Sequence, residues 1–391
     1  MTSSEVSSED RLLFAEVRKR AKRELELCPQ YDDDFSLLRW LVAWDRKLDV
    51  IVPKLIFSIR AANALGLNKM NLDTVDKVTK ACNDSSAALQ YLPGSLIGFD
   101  KEGYVVYLDV MGRLEATDLV RCVSNSECYI MKIIESYGIM EVIREKEKKA
   151  GKQLGSAIIF DLEGLGFSQL TVFNQFTPII QFLQDMFPDV VRKFYVINAP
   201  TFVQVLYKMV SPVLAKQTRE KLKVLGSDYK EILREDIGED VLFEHWGGRR
   251  KAENKFGNIK MGGKPPERLR RDNKEDIPAE ELTKQTVSAR SVSFVPIKLE
   301  GTVPGRKLKW WWLLDSGDVG FSILRAADDQ EEVAESEEDF LCYPRFKLHT
   351  DFVPESGEIM AEESGVYRFV FDNTHSFLRS KTIRYRIQVI G

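Results

Sequence analysis

Hydrophobic spacing changes twice along the chain, and each change marks a different kind of element. In the amino-terminal part, DDDFSLLRWLVAW, IVPKLIFSIRAANALG and LDTVDKVTKAC are short amphipathic segments with loop signals between them. Residues 1–85 therefore read as a helical bundle or cap. Ser7, ahead of Ser8, Glu9 and Asp10, supplies the hydroxyl of a helix start, and the acids meet the positive helix end. From Tyr104 onward the apolar positions become continuous. YVVYLDV, SAIIFDLEG, FYVINAP and LKVLG are short runs of the kind expected for strands covered on both faces. Ile130, Ile133, Ile134, Tyr137, Met140 and Ile143 keep a helical stripe between two of them. Val172, Phe173, Phe176, Ile180, Leu183 and Phe187 keep another, with Thr177–Pro178 placed to restart a helix. Strands alternating with helices predict a mainly parallel sheet with helices packed on it over residues 86–248.

One element in this region stands apart. The strand core Phe194–Ile197 breaks at Asn198, Ala199 and Pro200, and a helix is then predicted from Phe202 to Leu214. Phe202, Val205, Leu206, Met209 and Val213 recur at helical spacing, while Val203, Val210 and Leu214 fill much of the remaining circumference. A helix with two apolar faces needs apolar company on both. That company is core on one side and, on the other, either more core or lipid, as an enclosed ligand or a bilayer surface.

Between Arg249 and Lys274 periodicity disappears, and ten Lys or Arg stand against three Asp or Glu. Residues 249–280 read as a basic linker or an extended surface strap, a solvated run that is also able to touch anionic lipid. After about Glu280 the period becomes two. Ile383, Tyr385, Ile387 and Val389 alternate with polar residues, and Val319, Phe321 and Ile323 repeat the scheme. Residues 281–391 are thus predicted to form an antiparallel β-sandwich, with Trp310 and Trp312 in its core and the acidic stretch 328–339 as a surface loop.

Composition narrows the function. At 391 residues, 44% hydrophobic and 30% charged with a net charge of -4, the chain has room for two or three cored domains and carries no overall cationic field for nucleic acid. Five scattered cysteines without C-x-x-C spacing point to reduced thiols in cytosol rather than to disulfides or zinc. The first residues lack a basic segment followed by an apolar one, so no secretory signal is read. Residues 195–215 are the most apolar stretch of spanning length, but Asn198, Pro200, Gln204, Lys208 and Pro212 interrupt it, and no transmembrane helix is read.

Catalytic chemistry is thin. His245, His349 and His375 are neither paired at metal-ligand spacing nor beside a nucleophile motif, so no metal and no cofactor is expected. Asp161 and Glu163, at the carboxyl end of a predicted strand, form either an acid pair or a cap for the next helix. Gly164 and Gly166 half-match a dinucleotide loop, but Gln169 stands at the third glycine position. A nucleotide-dependent α/β enzyme is therefore a weak competitor.

FDLEGLG, FPDVVRKFYVINAP, LAKQTREKLKVLGSDYKEIL and HWGG resemble the CRAL-TRIO lipid-binding domain, and DDDFSLLRWLVAWDRKLDV resembles its helical amino-terminal region. KWWWLLDSGDVGFSIL and GVYRFVFDNTHSFLRSKTIRYRIQV are similar to a GOLD domain, a β-sandwich also found in Golgi-related trafficking proteins. The resemblance implies a non-enzymatic cytosolic protein, peripheral to membranes, that encloses one phosphatidylinositol, tocopherol or similar lipid. It also implies exchange at a membrane surface through a gating helix, here Phe202 to Leu214, with Phe173 and Phe176 among the cavity residues. By the same resemblance Asp189, Thr218 and Lys221 match the inositol-phosphate positions, and Arg46 is the nearest candidate for one further arginine. Tyr107 and Ser156 are retained from a phosphocholine site, whereas Ile97, Ile158 and Leu183 replace hydroxyls there. The GOLD-like part implies an adaptor for membrane or protein partners, and a scaffold acting mainly through it is the alternative function.

Overall fold

The computed structural model describes residues 6–251, 257, 259–272, 277–301, 303–326 and 340–391, leaving aside the side chains of residues 167, 168 and 170–175. Contacts divide the chain into two units, one made of residues 1–59, 67–119 and 131–265, the other of residues 60–66, 120–130 and 266–391.

The chain opens with helices α1 (Ser8–Arg20), α2 (Lys22–Leu27), α3 (Asp34–Ala43), α4 (Leu48–Ala64) and α5 (Val75–Ser85). Ser7 caps α1 as its sequence predicts, its hydroxyl accepting from Asp10 N at 3.0 Å. Then follow β1 (Ser95–Phe99), β2 (Val105–Asp109), α6 (Ala116–Leu119), α7 (Asn125–Ala150), β3 (Ser156–Asp161), α8 (Phe167–Met186), β4 (Val191–Ile197), α9 (Val203–Val210), α10 (Lys216–Lys221), β5 (Leu222–Val224) and α11 (Tyr229–Asp236). The sheet runs β1-β2-β3-β4-β5, with β1 antiparallel to β2 and every other pair parallel. Strand β1 is an addition to the sequence-based expectation, which begins the sheet at Tyr104. Its register shifts between Leu96 and Gly98, and Gly94 leaves room for the Tyr107 hydroxyl, which a Cβ there would strike. Helix α8 runs unbroken through Pro178 rather than restarting at it.

Cross-strand register sorts the sheet into two faces. Val106, Leu108, Ala157, Ile159, Tyr195 and Ile197 pack with Leu233 of α11, with Ile237 just after it and with Leu242, Phe243 and Trp246, a buried core. Tyr107, Ile158, Phe194 and Leu222 are neighbours across four strands on the opposite face. Part of the chain after Arg249 is a strap on this unit, since Lys260 accepts from Gly94 N and donates its own N–H to Ser95 Oγ, both at 3.0 Å.

In the same unit, the buried Arg39 of α3 pairs with Glu147 of α7 and donates to Leu154 O at 3.0 Å, while Leu154 N donates back to Glu147 at 2.6 Å. The pair joins the amino-terminal helices to the start of β3.

The second unit contains two four-stranded antiparallel sheets. One is ordered β10-β9-β12-β7 and the other β11-β8-β13-β6, from β6 (Thr283–Val287), β7 (Val292–Leu299), β8 (Lys307–Leu314), β9 (Asp318–Arg325), β10 (Phe340–His349), β11 (Glu355–Met360), β12 (Gly365–Asp372) and β13 (Lys381–Ile390). Trp310 and Trp312 are buried, as alternation predicts, against Phe321, Tyr343, Phe369 and Phe371. The alternation fades along β13, where Ile383 is fully buried but Val389 is 44% exposed. In β9 it fails for the opposite reason, because Ser322 and Leu324 are buried as well. The acidic stretch 328–339 lies outside the described residues. Four of the five cysteines are buried, and all five are free thiols.

Two stability predictions follow from these buried charges. Arg39→Met leaves Glu147 without its cation and is expected to destabilise the first unit by about 3–5 kcal/mol, read as a lower midpoint in chemical denaturation. In the second unit, Glu355 is buried, accepting from Ser126 N at 3.0 Å, and burial raises its pKa to about 7. The unfolded carboxyl titrates at about 4.3, so between that value and about 7 the native state holds a proton that the unfolded chain releases. This group is neutral to stability below the unfolded value, and its penalty grows as pH climbs to about 7 and persists above. Glu355→Gln is expected to abolish that decline, and identical pH dependence in variant and wild type would refute the assignment.

Candidate functional site

Helix α9 covers the second face of the sheet. Leu206 is buried there with Leu162, Leu165, Phe194 and Val196, and Phe202, Val203, Met209 and Val210 pack half-buried around them. Val205 is 47% exposed and Tyr207 39%, so the outward side of α9 presents these two apolar side chains beside the exposed Gln204 and Lys208. Val203 and Val210, read from the sequence as a second face, join the same buried cluster as Leu206, and the helix is shorter than its pattern. It ends at Val210, and Val213 and Leu214 lie, half-buried, in the turn beyond it. Pro212 has no N–H to continue the ladder, and Val213 N and Leu214 N both turn back to Val210 O. Beneath α9, Ile158 and Phe160 of the central strand are only half-buried, whereas Ala157 and Ile159, which alternate with them, are at 0% exposure. Phe176 is half-buried on α8, and the side chain of Phe173 lies outside the described residues.

Both ends of the α9 segment are fastened. Asn198, in a left-handed conformation at φ 49°, donates to Asp161 Oδ1 at 2.8 Å. The same oxygen accepts from Glu163 N at 3.0 Å, and Asp161 Oδ2 accepts from the buried Trp246 Nε1 at 2.9 Å. Asp161 thus serves as a strut between the start of the α9 segment and the HWGG turn. It also accepts from Glu163 N in the turn after β3, but it does not cap the next helix, whose N-cap is Gly166. At the other end, Gln184 of α8 donates to Val213 O at 2.6 Å and accepts from Ala215 N at 2.5 Å.

The positions implied for a headgroup come together in part. Asp189, left-handed at φ 49°, is almost fully buried. Its Oδ1 accepts from Lys221 Nζ at 3.0 Å, and its Oδ2 faces Arg192 Nη1 at 3.0 Å. Lys221 also donates to Val191 O at 2.6 Å. Thr218 lies one turn before Lys221 on α10, half-buried. Arg192 was not among the residues singled out for the headgroup, although it follows Asp189 by three positions in PDVVR. Its Nη2 is buried and has no hydrogen-bond partner among the described residues. Gly155 makes room for it, since a Cβ there would lie 2.7 Å from Arg192 Cγ and would strike Val190 O.

Arg46 does not join this cluster. It is bound to Asp10 at 2.7 and 3.1 Å, and that contact holds the Asp10 carboxyl below its usual range. Helix α3 ends at Ala43, and Asp45 and Arg46 are both left-handed, which turns the arginine toward α1. The helical region instead meets α10 through Val42 and Ala43, whose carbonyls accept from Gln217. Next to them Trp44 carries Lys54 Nζ 4.4 Å from its ring centroid, and Lys54 pairs with Asp185 at 2.9 Å.

The phosphocholine positions divide. Tyr107 and Ser156 are buried, and Tyr107 and Ile158 share the α9 side of the sheet, but Ile97 packs into the opposite core. Tyr107 is engaged: its hydroxyl donates to Asp109 Oδ2 and accepts from Lys132 Nζ, each at 2.9 Å. Burial pushes Asp109 up to about 7. Burial also opposes the charge of Lys132, but Glu135 and Asp109 outweigh it and hold that ammonium above its ordinary pKa.

Residues 89–248 match the family model for the CRAL/TRIO domain. Over 385 residues the chain is 25% identical to Protein ctg-1 of Caenorhabditis elegans, covering 95% of this chain and 96% of that protein. It is 28% identical over 222 residues to Sec14 cytosolic factor of Schizosaccharomyces pombe, covering 55% of this chain and 74% of the relative. With phosphatidylinositol/phosphatidylcholine transfer protein SFH12 of Arabidopsis thaliana it shares 29% identity over 243 residues, 57% of this chain and 41% of the relative. Among the described residues no helix is long and apolar enough to cross a membrane. The chain therefore carries a CRAL-TRIO lipid-binding domain, preceded by a helical region and followed by an all-β region consistent with a GOLD-like domain.

Proposed function

We propose that the protein encloses one lipid with a phosphate-bearing headgroup, phosphatidylinositol or a similar molecule, and exchanges it at membrane surfaces without covalent chemistry. The observation that carries this reading is Arg192. Beside Lys221 and the single carboxylate of Asp189 it leaves one positive charge in excess and a buried N–H with no partner among the described residues. A phosphate oxygen satisfies both, and the Thr218 hydroxyl one turn away can donate to it or to an inositol hydroxyl. The name of the Arabidopsis relative, a phosphatidylinositol/phosphatidylcholine transfer protein, agrees with that chemistry.

The acyl chains would lie against Ile158, Phe160 and the inner side of α9. Two chains carry roughly 30 methylenes, each worth about 0.8 kcal/mol on leaving water, so on the order of 24 kcal/mol opposes escape into solvent. Exchange then requires a membrane, with α9 displaced and Val205 and Tyr207 entering the interface. The protein so understood works in the cytosol, peripheral to membranes.

Two measurements test this. Charged hydrogen bonds are worth about 1.5–3 kcal/mol, so Lys221→Ala and Arg192→Gln are each expected to lower phosphatidylinositol pickup from vesicles about tenfold or more and to leave tocopherol pickup unchanged. Equal loss for both ligands would contradict a headgroup role. Met209→Asp places a carboxylate on the buried side of α9 and is expected to slow transfer of every lipid, with the far-ultraviolet circular dichroism preserved. Transfer at the wild-type rate by the folded variant would remove α9 from the exchange step.

A further inference from the structure

The β12–β13 loop of the second unit, residues 373–380, carries Phe377 at 72% and Leu378 at 92% exposure, two adjacent apolar side chains with little cover. Scattered apolar residues on a surface are ordinary. These two differ because the loop that holds them out is fixed. Asn373, at 0% exposure, donates from its amide to Val287 O, Ser288 O and Arg379 O at 3.2, 3.0 and 2.9 Å. Arg290 N donates to Asn373 O and Ser376 O at 3.1 and 3.0 Å, and Ser376 Oγ donates to Arg379 O at 2.9 Å. The connection between β6 and β7 is thereby tied to the loop, and Val292, across from Asp372 in the register, is 37% exposed.

The charge at this end is positive. The Arg290 guanidinium lies 4.8 Å from the Phe377 ring centroid, and Arg379 follows Leu378 in the chain. Nearby carboxylates are already committed: Asp372 pairs with Arg345 at 3.1 Å and accepts from Thr374, while Asp318 meets His375 at 2.5 Å and Lys347 at 3.4 Å.

We infer that this end of the sandwich is a contact surface for anionic bilayers, with Phe377 and Leu378 entering the boundary between headgroups and acyl chains and Arg290 and Arg379 meeting lipid phosphates. Aromatic and aliphatic tips beside cations are what that boundary accepts. A stable protein partner would need on the order of 800 Å² from this side, far more than two loop side chains and their neighbours offer. The inference adds a docking surface to the proposed lipid exchange, and it is separable from the headgroup site because it concerns vesicle binding rather than ligand capture.

The test is co-sedimentation of the full chain with vesicles of phosphatidylcholine alone or mixed with phosphatidylserine, with the lipid content of each purified variant measured by mass spectrometry of its organic extract. Phe377→Ser with Leu378→Ser is expected to weaken binding to the mixed vesicles about tenfold or more. Arg290→Gln with Arg379→Gln is expected to weaken it roughly fivefold per charge and to leave binding to neutral vesicles unchanged. Extracted lipid should match the wild type in both variants. Wild-type vesicle binding by the apolar double variant overturns the inference, whether or not that variant loses a protein partner. Vesicle binding lost together with extracted lipid overturns it too, since the loop would then act through the fold.

Discussion

Every strand inside the parallel sheet must be covered on two faces, and in this chain the two covers are unequal. The α11 side is closed by residues at or near zero exposure. The other side leaves Ile158 and Phe160 of the central strand half-covered under α9, a helix of eight residues. Helices that short do not persist alone, since isolated helices need about 12–15 residues even with favourable sequences. The helicity of α9 is therefore borrowed from what it lies on. An apolar guest beneath it would complete the core as well as occupy it, which couples occupancy to the conformation of α9.

The polar end of the same region obeys a different constraint. Asp189 is almost fully buried and lies between Lys221 and Arg192. A buried carboxylate with one cation is compensated; with two, the cluster keeps a positive charge that water reaches poorly. Such a cluster discriminates among ligands by charge, while the apolar face discriminates only by shape and area. The two selections act on the two ends of an amphiphile.

The extent to which this was legible in sequence follows from what each element depends on. Strands β2, β3 and β4 are continuous apolar runs because helices cover both of their faces, and such runs can be read locally. Strand β1 could not be, since Gly98 interrupts a five-residue segment whose place depends on pairing with β2. The length of α9 was over-read because apolar spacing continues past Pro212, where the backbone cannot. At the candidate site, resemblance supplied Asp189, Thr218 and Lys221, and the fold brings the first and last into contact. Arg46 looked eligible by its distance from LLRWL, but two successive left-handed residues send it to Asp10, and such backbone reversals carry little sequence signal in Asp-Arg. Arg192 follows Asp189 by three positions in PDVVR. Its role beside Asp189 depends on the gap at Gly155, a residue 37 positions away. Histidine spacing likewise gave no hint that Trp246 would end on Asp161.

The two fastenings of the α9 segment differ in kind. Asp161 engages Asn198 and Trp246 through a carboxylate, whereas Gln184 holds Val213 and Ala215 with an uncharged amide. An amide clasp neither titrates nor feels a Debye atmosphere. The ionic strength of the surroundings thus bears on the charged Asp189 cluster while leaving this clasp untouched.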